Sequence, residues 1–136
     1  MATRFIKIAV LYLAVGVTLG LIMGIRQSFA LAPVHAHINL LGWASLALVG
    51  LVYHAYPQAA ETRLARIHFW LHNIGLPPLM IALALMLSGN TAMEPVVGIF
   101  SIVVALGIAL FVINVWMAVR PAAAPAALRA GAVAAR

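Results

Sequence analysis

His35-Ala36-His37 holds the residues of this chain best suited to chemistry. The tripeptide opens Val34-His35-Ala36-His37-Ile38-Asn39-Leu40-Leu41-Gly42-Trp43, and the run stays mainly apolar to Tyr56. Two ionisable side chains at the edge of a membrane helix are costly and need a reason. Histidine is also a common axial ligand of protein-bound haem. On an α-helix, positions i and i+2 lie about 200° apart. The two imidazoles then point to nearly opposite flanks and are ill placed to clamp one ion. They can serve two sites, one on each side of the helix. The competing reading is a pair of interfacial polar residues following Pro33.

The elements that must position this pair follow from composition. The chain has 136 residues, of which 66% are hydrophobic and 7% charged. A soluble domain carries about 25% charged residues. About 20 apolar residues cross the hydrocarbon of a bilayer. Four stretches reach that length, Phe5 to Ile25, Val34 to Tyr56, Ile67 to Leu87 and Pro95 to Val119. Short connections between them imply an up-down series. The expected fold is an all-α integral membrane protein with one four-helix transmembrane domain over residues 1–120. An Ala/Pro-rich cytoplasmic tail, 121–136, follows it. The chain has no cysteine, which excludes disulfides, thiolate metal sites and c-type haem attachment. The N-terminal run is of span length and shows no small-residue cleavage site, so it reads as the first span.

The net charge of +6 carries topology. Arg4 and Lys7 precede span one, Arg63 and Arg66 lie between spans two and three, and Arg120, Arg129 and Arg136 follow span four. Only Arg26 sits in the first loop, and the third loop carries only Glu94. The positive-inside rule then puts both termini and the middle loop in the cytoplasm of a cell (inner) membrane. No basic cluster marks a soluble face, so nucleic acid is not an expected partner.

Span one carries Gly16, Gly20 and Gly24, a groove for close helix approach. Span two is slim at Gly42, Ala44, Ser45, Ala47 and Gly50. Pro77-Pro78 interrupts the hydrogen-bond ladder of span three, and a kink is expected there. Span four is nearly featureless apart from Asn114 and Trp116, and reads as a packing helix with an interfacial anchor.

The remaining histidines have weaker claims. His68 and His72 are spaced i, i+4 and could bind zinc with a third ligand such as Glu61 or His54. The preferred reading is an interfacial His68 and a hydrogen-bonded His72. His54, between Tyr53 and Tyr56, belongs at the inner headgroup level. It lies seventeen residues beyond His37, about 25 Å deeper at 1.5 Å per residue. His68 and His72 are roughly 15–20 Å away along the membrane normal. Axial imidazole nitrogens must sit about 4 Å apart across an iron, given bonds of about 2 Å. An inner histidine therefore does not complete a site with His37 inside one chain. The opposed pair suggests that His35 of one copy faces His37 of the next around a ring.

From Val34 to about Gly89 the chain resembles the catalytic subunit of the haem-copper oxidases, including their nitric oxide reductase relatives. The shared features are His35-Ala36-His37, the aromatic-proline exit Tyr56-Pro57, a short basic loop, and Arg66-Ile67-His68-Phe69-Trp70-Leu71 opening the next helix. By this resemblance His35 matches the proximal ligand of the family's high-spin haem, and His37 matches a ligand of its low-spin haem. His68 matches a position that is not a ligand. The family subunit has about twelve helices in three pseudo-symmetric arcs of four, and this chain resembles the last four. The helices carrying the copper ligands and the His-x-x-x-Tyr motif have no counterpart here, so copper is not expected. Three copies would restore twelve helices by true symmetry.

The resemblance and the residues together lead to a homotrimeric membrane haem protein with His35 and His37 as axial iron ligands and haem b as the default. Its expected task is electron transfer, or gas chemistry if one axial position is open. No catalytic residue is assigned. The alternatives are a haem-free accessory or assembly subunit of a respiratory complex, and a gas-binding haem sensor or reductase.

Overall fold

The computed structural model describes residues 1–119; Arg120 and the 121–136 tail lie outside the described residues. The described chain is helical throughout apart from short connections. Four helices are long and apolar enough to cross a membrane: α1 (Ala2–Arg26), α2 (Ala32–Ala55), α3 (Arg63–Leu87) and α4 (Glu94–Ala118, preceded by one 3-10 turn). An apolar segment satisfies its backbone polar groups most simply by pairing them within one helix.

Local chemistry sets the helix ends. Gln27 closes α1 in the left-handed region at φ 49°, and its side-chain amide donates to the Gly24 carbonyl at 2.7 Å. Pro33 lies in the first turn of α2, where its missing N–H costs nothing. Thr62 caps α3, its hydroxyl oxygen accepting from the Ala65 amide at 3.0 Å. That cap starts α3 four residues before the apolar run begins at Ile67, so the basic turn Arg63–Arg66 is helical. Pro77 and Pro78 lie inside α3, and the helix assignment continues across both.

The α1 helix packs along α2 and α3 along α4, with a narrower seam between α2 and α3. The core forms two layers. One gathers Phe5, Leu46, Val49, Tyr53 and Phe69 at the end holding the N-terminus and the middle loop. The other gathers Val34, Ile38, Leu76, Leu79 and Val104 at the opposite end, beside the histidine pair. Outward-facing side chains are also large and apolar, with Leu11 66% and Trp116 88% exposed.

The α2 helix departs from regularity. It is α-helical over Ala32–His37, a π-helix over Ile38–Ser45, and α-helical again over Leu46–Ala55. Apolar periodicity gives no sign of this wide segment, which directly follows His37.

Candidate histidine site

His35 sits in the first turns of α2 and turns toward α1. Its Nδ1 lies 2.9 Å from the Gly16 carbonyl oxygen. A carbonyl only accepts, so Nδ1 carries the hydrogen and Nε2 keeps its lone pair. Glycine makes the approach possible: a Cβ at Gly20 would stand 2.7 Å from Cε1 of His35, and one at Gly16 would stand 2.5 Å from Nδ2 of Asn39. The groove of small residues on α1 is thus filled by His35 and Asn39, while Gly24 faces open space. The Asn39 amide donates to the His35 backbone carbonyl at 2.9 Å. Its 3.4 Å approach to Nδ1 of His35 sets a donor against a donor and adds no bond.

His37 turns the other way. Its Nδ1 donates to the Pro33 carbonyl at 2.7 Å, so here too Nε2 holds the lone pair. The exposed ring lines a groove of about 310 Å³ between α2, α3 and α4. Leu41, Leu79, Leu83 and Val104 make the groove apolar, and Ser101 supplies a hydroxyl. The two imidazoles of His35-Ala36-His37 therefore meet different helices and share no site within one chain.

Both rings carry the hydrogen-bond pattern common to metal-bound histidine. The non-ligating nitrogen donates to a backbone carbonyl, which fixes the tautomer and raises the basicity of the other nitrogen. This donor chemistry suits a metal at Nε2, but the two rings differ in access: His35 is half-buried against Gly20 of α1, whereas His37 is exposed.

The inner histidines differ from expectation in two respects: His68 is buried, and His72 reaches the backbone at Leu41. Leu41 is four residues or about 6 Å along the helix from His37, well short of the expected depth difference. His68 is not interfacial but 1% exposed. The early start of α3 carries it one turn inward, where its ring stacks on Phe5 at 5.3 Å and meets Phe111 at 5.3 Å. Neither of its ring nitrogens has a hydrogen-bond partner. His72, also 1% exposed, meets His68 edge-on at 5.6 Å. Its Nε2–H donates to the Leu41 carbonyl of the π-segment at 3.0 Å. His54 and Glu61 are exposed, and among the described residues no group of three or more His, Cys, Asp or Glu gathers as a metal site.

A second polar cluster was not legible in the sequence. Asn114 of α4 is 1% exposed. It accepts from the Thr62 hydroxyl at 2.7 Å, and its amide donates to the Ala59 carbonyl at 2.8 Å and the Tyr53 hydroxyl at 3.2 Å. A lone amide in an otherwise apolar helix was the available signal, but its three partners come from α2 and the middle loop. The cluster ties that loop to α4.

Comparison with known protein families, curated proteins and solved structures finds no match to this chain.

Proposed function

We propose that this chain is a membrane haem protein that carries electrons through b-type haem held by His35 and His37. The observation that carries the reading is the paired ring chemistry: both Nδ1–H groups are tied to carbonyls, and both Nε2 lone pairs are left for a ligand. Large exposed apolar side chains on all four helices support residence in a bilayer. The asymmetry of Arg and Lys supports cytoplasmic termini, with the histidine pair near the outer face.

The proposed assembly is a ring of copies. Within one chain His35 packs on α1 and His37 lines the groove between α2, α3 and α4, and the nearby His72 has its Nε2–H committed to the Leu41 carbonyl. A head-to-tail ring in which His35 of one copy meets His37 of the next gives every interface two imidazoles. The resemblance to a three-arc oxidase core favours three copies, with up to three haems. Bound there, haem supplies a one-electron couple. The chain's part is to present two imidazoles, each in a fixed tautomer, with apolar side chains such as Leu41, Leu79 and Val104 beside His37.

Pigment and metal analysis of the purified oligomer is the direct test. A Soret band with one iron per interface is the expected result. A colourless, iron-free oligomer would overturn the haem reading in favour of an accessory or assembly subunit. Carbon monoxide binding to the reduced protein would assign the gas-binding alternative instead of a saturated cytochrome.

A further inference from the structure

The π-segment Ile38–Ser45 stands between the histidine pair and the inner half of α2. A π-turn closes on the fifth residue instead of the fourth. It therefore sets the helix before and after it out of register by about one residue, roughly 100° of rotation. The inner half is anchored, since Leu46, Val49 and Tyr53 are buried in the core layer around Phe5. The rotation of the His35–His37 turn relative to that anchor is thus set by the width of the segment between them.

A side chain that inserts at the backbone ladder is one identifiable cause of a local departure from α-helical geometry. Here that side chain is His72. Its Nε2–H reaches the Leu41 carbonyl, in the middle of the π-segment, from thirty-one positions along the chain. His72 is itself held in place. The His68 ring stands edge-on to it, and His68 is in turn clasped by Phe5 and Phe111. On the α4 side, Gly107 lets the helices close until a Cβ there would stand 3.4 Å from the His72 amide nitrogen.

We propose that His72 is a positioning residue: it holds the Leu41 carbonyl in the wide turn and so fixes the direction in which His35 and His37 face. The functional meaning rests on the haem reading; the conformational effect does not. His72 touches no ligand, and acts through the backbone of the helix that carries the pair.

The test compares His72→Phe, which keeps a ring and removes the donor, with His72→Gln, which restores an N–H. His72→Leu is a second donor-less variant should the Phe variant fail to accumulate. Two readouts are taken. The first is haem per chain and the low-spin electron paramagnetic resonance signature. The second is the distance between spin labels at introduced cysteines replacing Ala32 and Ile99, free of background because the chain has no cysteine. Labelled chains are diluted with unlabelled ones. Loss of the wide turn moves the outer turn by roughly 3.5 Å at the Cα, the chord of a 100° rotation at a 2.3 Å radius. The expected result is a distance shift of that order with at least twofold less haem or a split low-spin signal in His72→Phe, both reversed in His72→Gln. Wild-type distance and wild-type spectrum in the donor-less variants would overturn the proposal. If the wild-type protein carries no haem, the haem reading fails by itself, and the label distance alone decides the role of His72.

Discussion

Replacing Asn114 by leucine should destabilise the protein by an amount the structure lets one work out. The side chain is fully buried and makes three hydrogen bonds, to the Thr62 hydroxyl, the Ala59 carbonyl and the Tyr53 hydroxyl. Buried hydrogen bonds contribute about 0.5–1.5 kcal/mol each in water-soluble proteins, and couplings in membranes average about 0.6 kcal/mol. Three of them give about 1.5–4.5 kcal/mol. One partner is partly rescued, because the Thr62 hydroxyl also lies 3.2 Å from the Ala59 carbonyl and can keep that bond. The expected loss is therefore near the lower end, about 2–3 kcal/mol. The assay is equilibrium unfolding in mixed micelles, read by loss of helical circular dichroism. A double-mutant cycle with Thr62→Val should show a coupling of about 1 kcal/mol, since the two side chains share one direct bond. A loss below about 0.5 kcal/mol for Asn114→Leu would refute the reasoning and mean that these bonds do not persist in the folded protein.

The remaining expectations concern ligation, assembly and topology. His37→Ala should lose most of its haem, and His35→Ala should lose haem or turn a six-coordinate spectrum five-coordinate, while exposed His54→Ala keeps the wild-type spectrum; unchanged pigment in both outer variants would reject the assignment. Co-expressed His35→Ala and His37→Ala chains should regain haem at mixed interfaces where both intact rings meet, and native mass measurement should give a trimer; a haem-loaded monomer would defeat the ring. A cysteine at exposed Gln58 should label from the cytoplasm and one at Ala92 from outside, and the reverse pattern would invert the topology. Oxygen consumption by the isolated protein with an artificial donor should stay at background, and sustained cyanide-sensitive turnover lost in His35→Ala would show an active open site.

The four long apolar helices were legible in the sequence because a span needs only length and hydropathy, and Phe5 to Ile25 or Pro95 to Val119 supply both without reference to any neighbour. The divergence of His35 and His37 was equally local, since a spacing of two on an α-helix fixes an angle whatever surrounds it. The small residues Gly16 and Gly20 announced a close approach, but not that an imidazole and an amide would fill it. What only the tertiary structure decided depends on residues distant in the chain. The Gly16 carbonyl settles the tautomer of His35 from nineteen positions away, and His72 reaches the backbone of α2 from thirty-one. Burial of His68 followed from the Thr62 cap and the rings of Phe5 and Phe111, which no periodicity in α3 records. Asn114 found its partners fifty-two to sixty-one positions earlier. Apolar patterning reports which face of a helix avoids water, whereas a polar side chain inside the bundle takes its role from the donor or acceptor that packing brings to it.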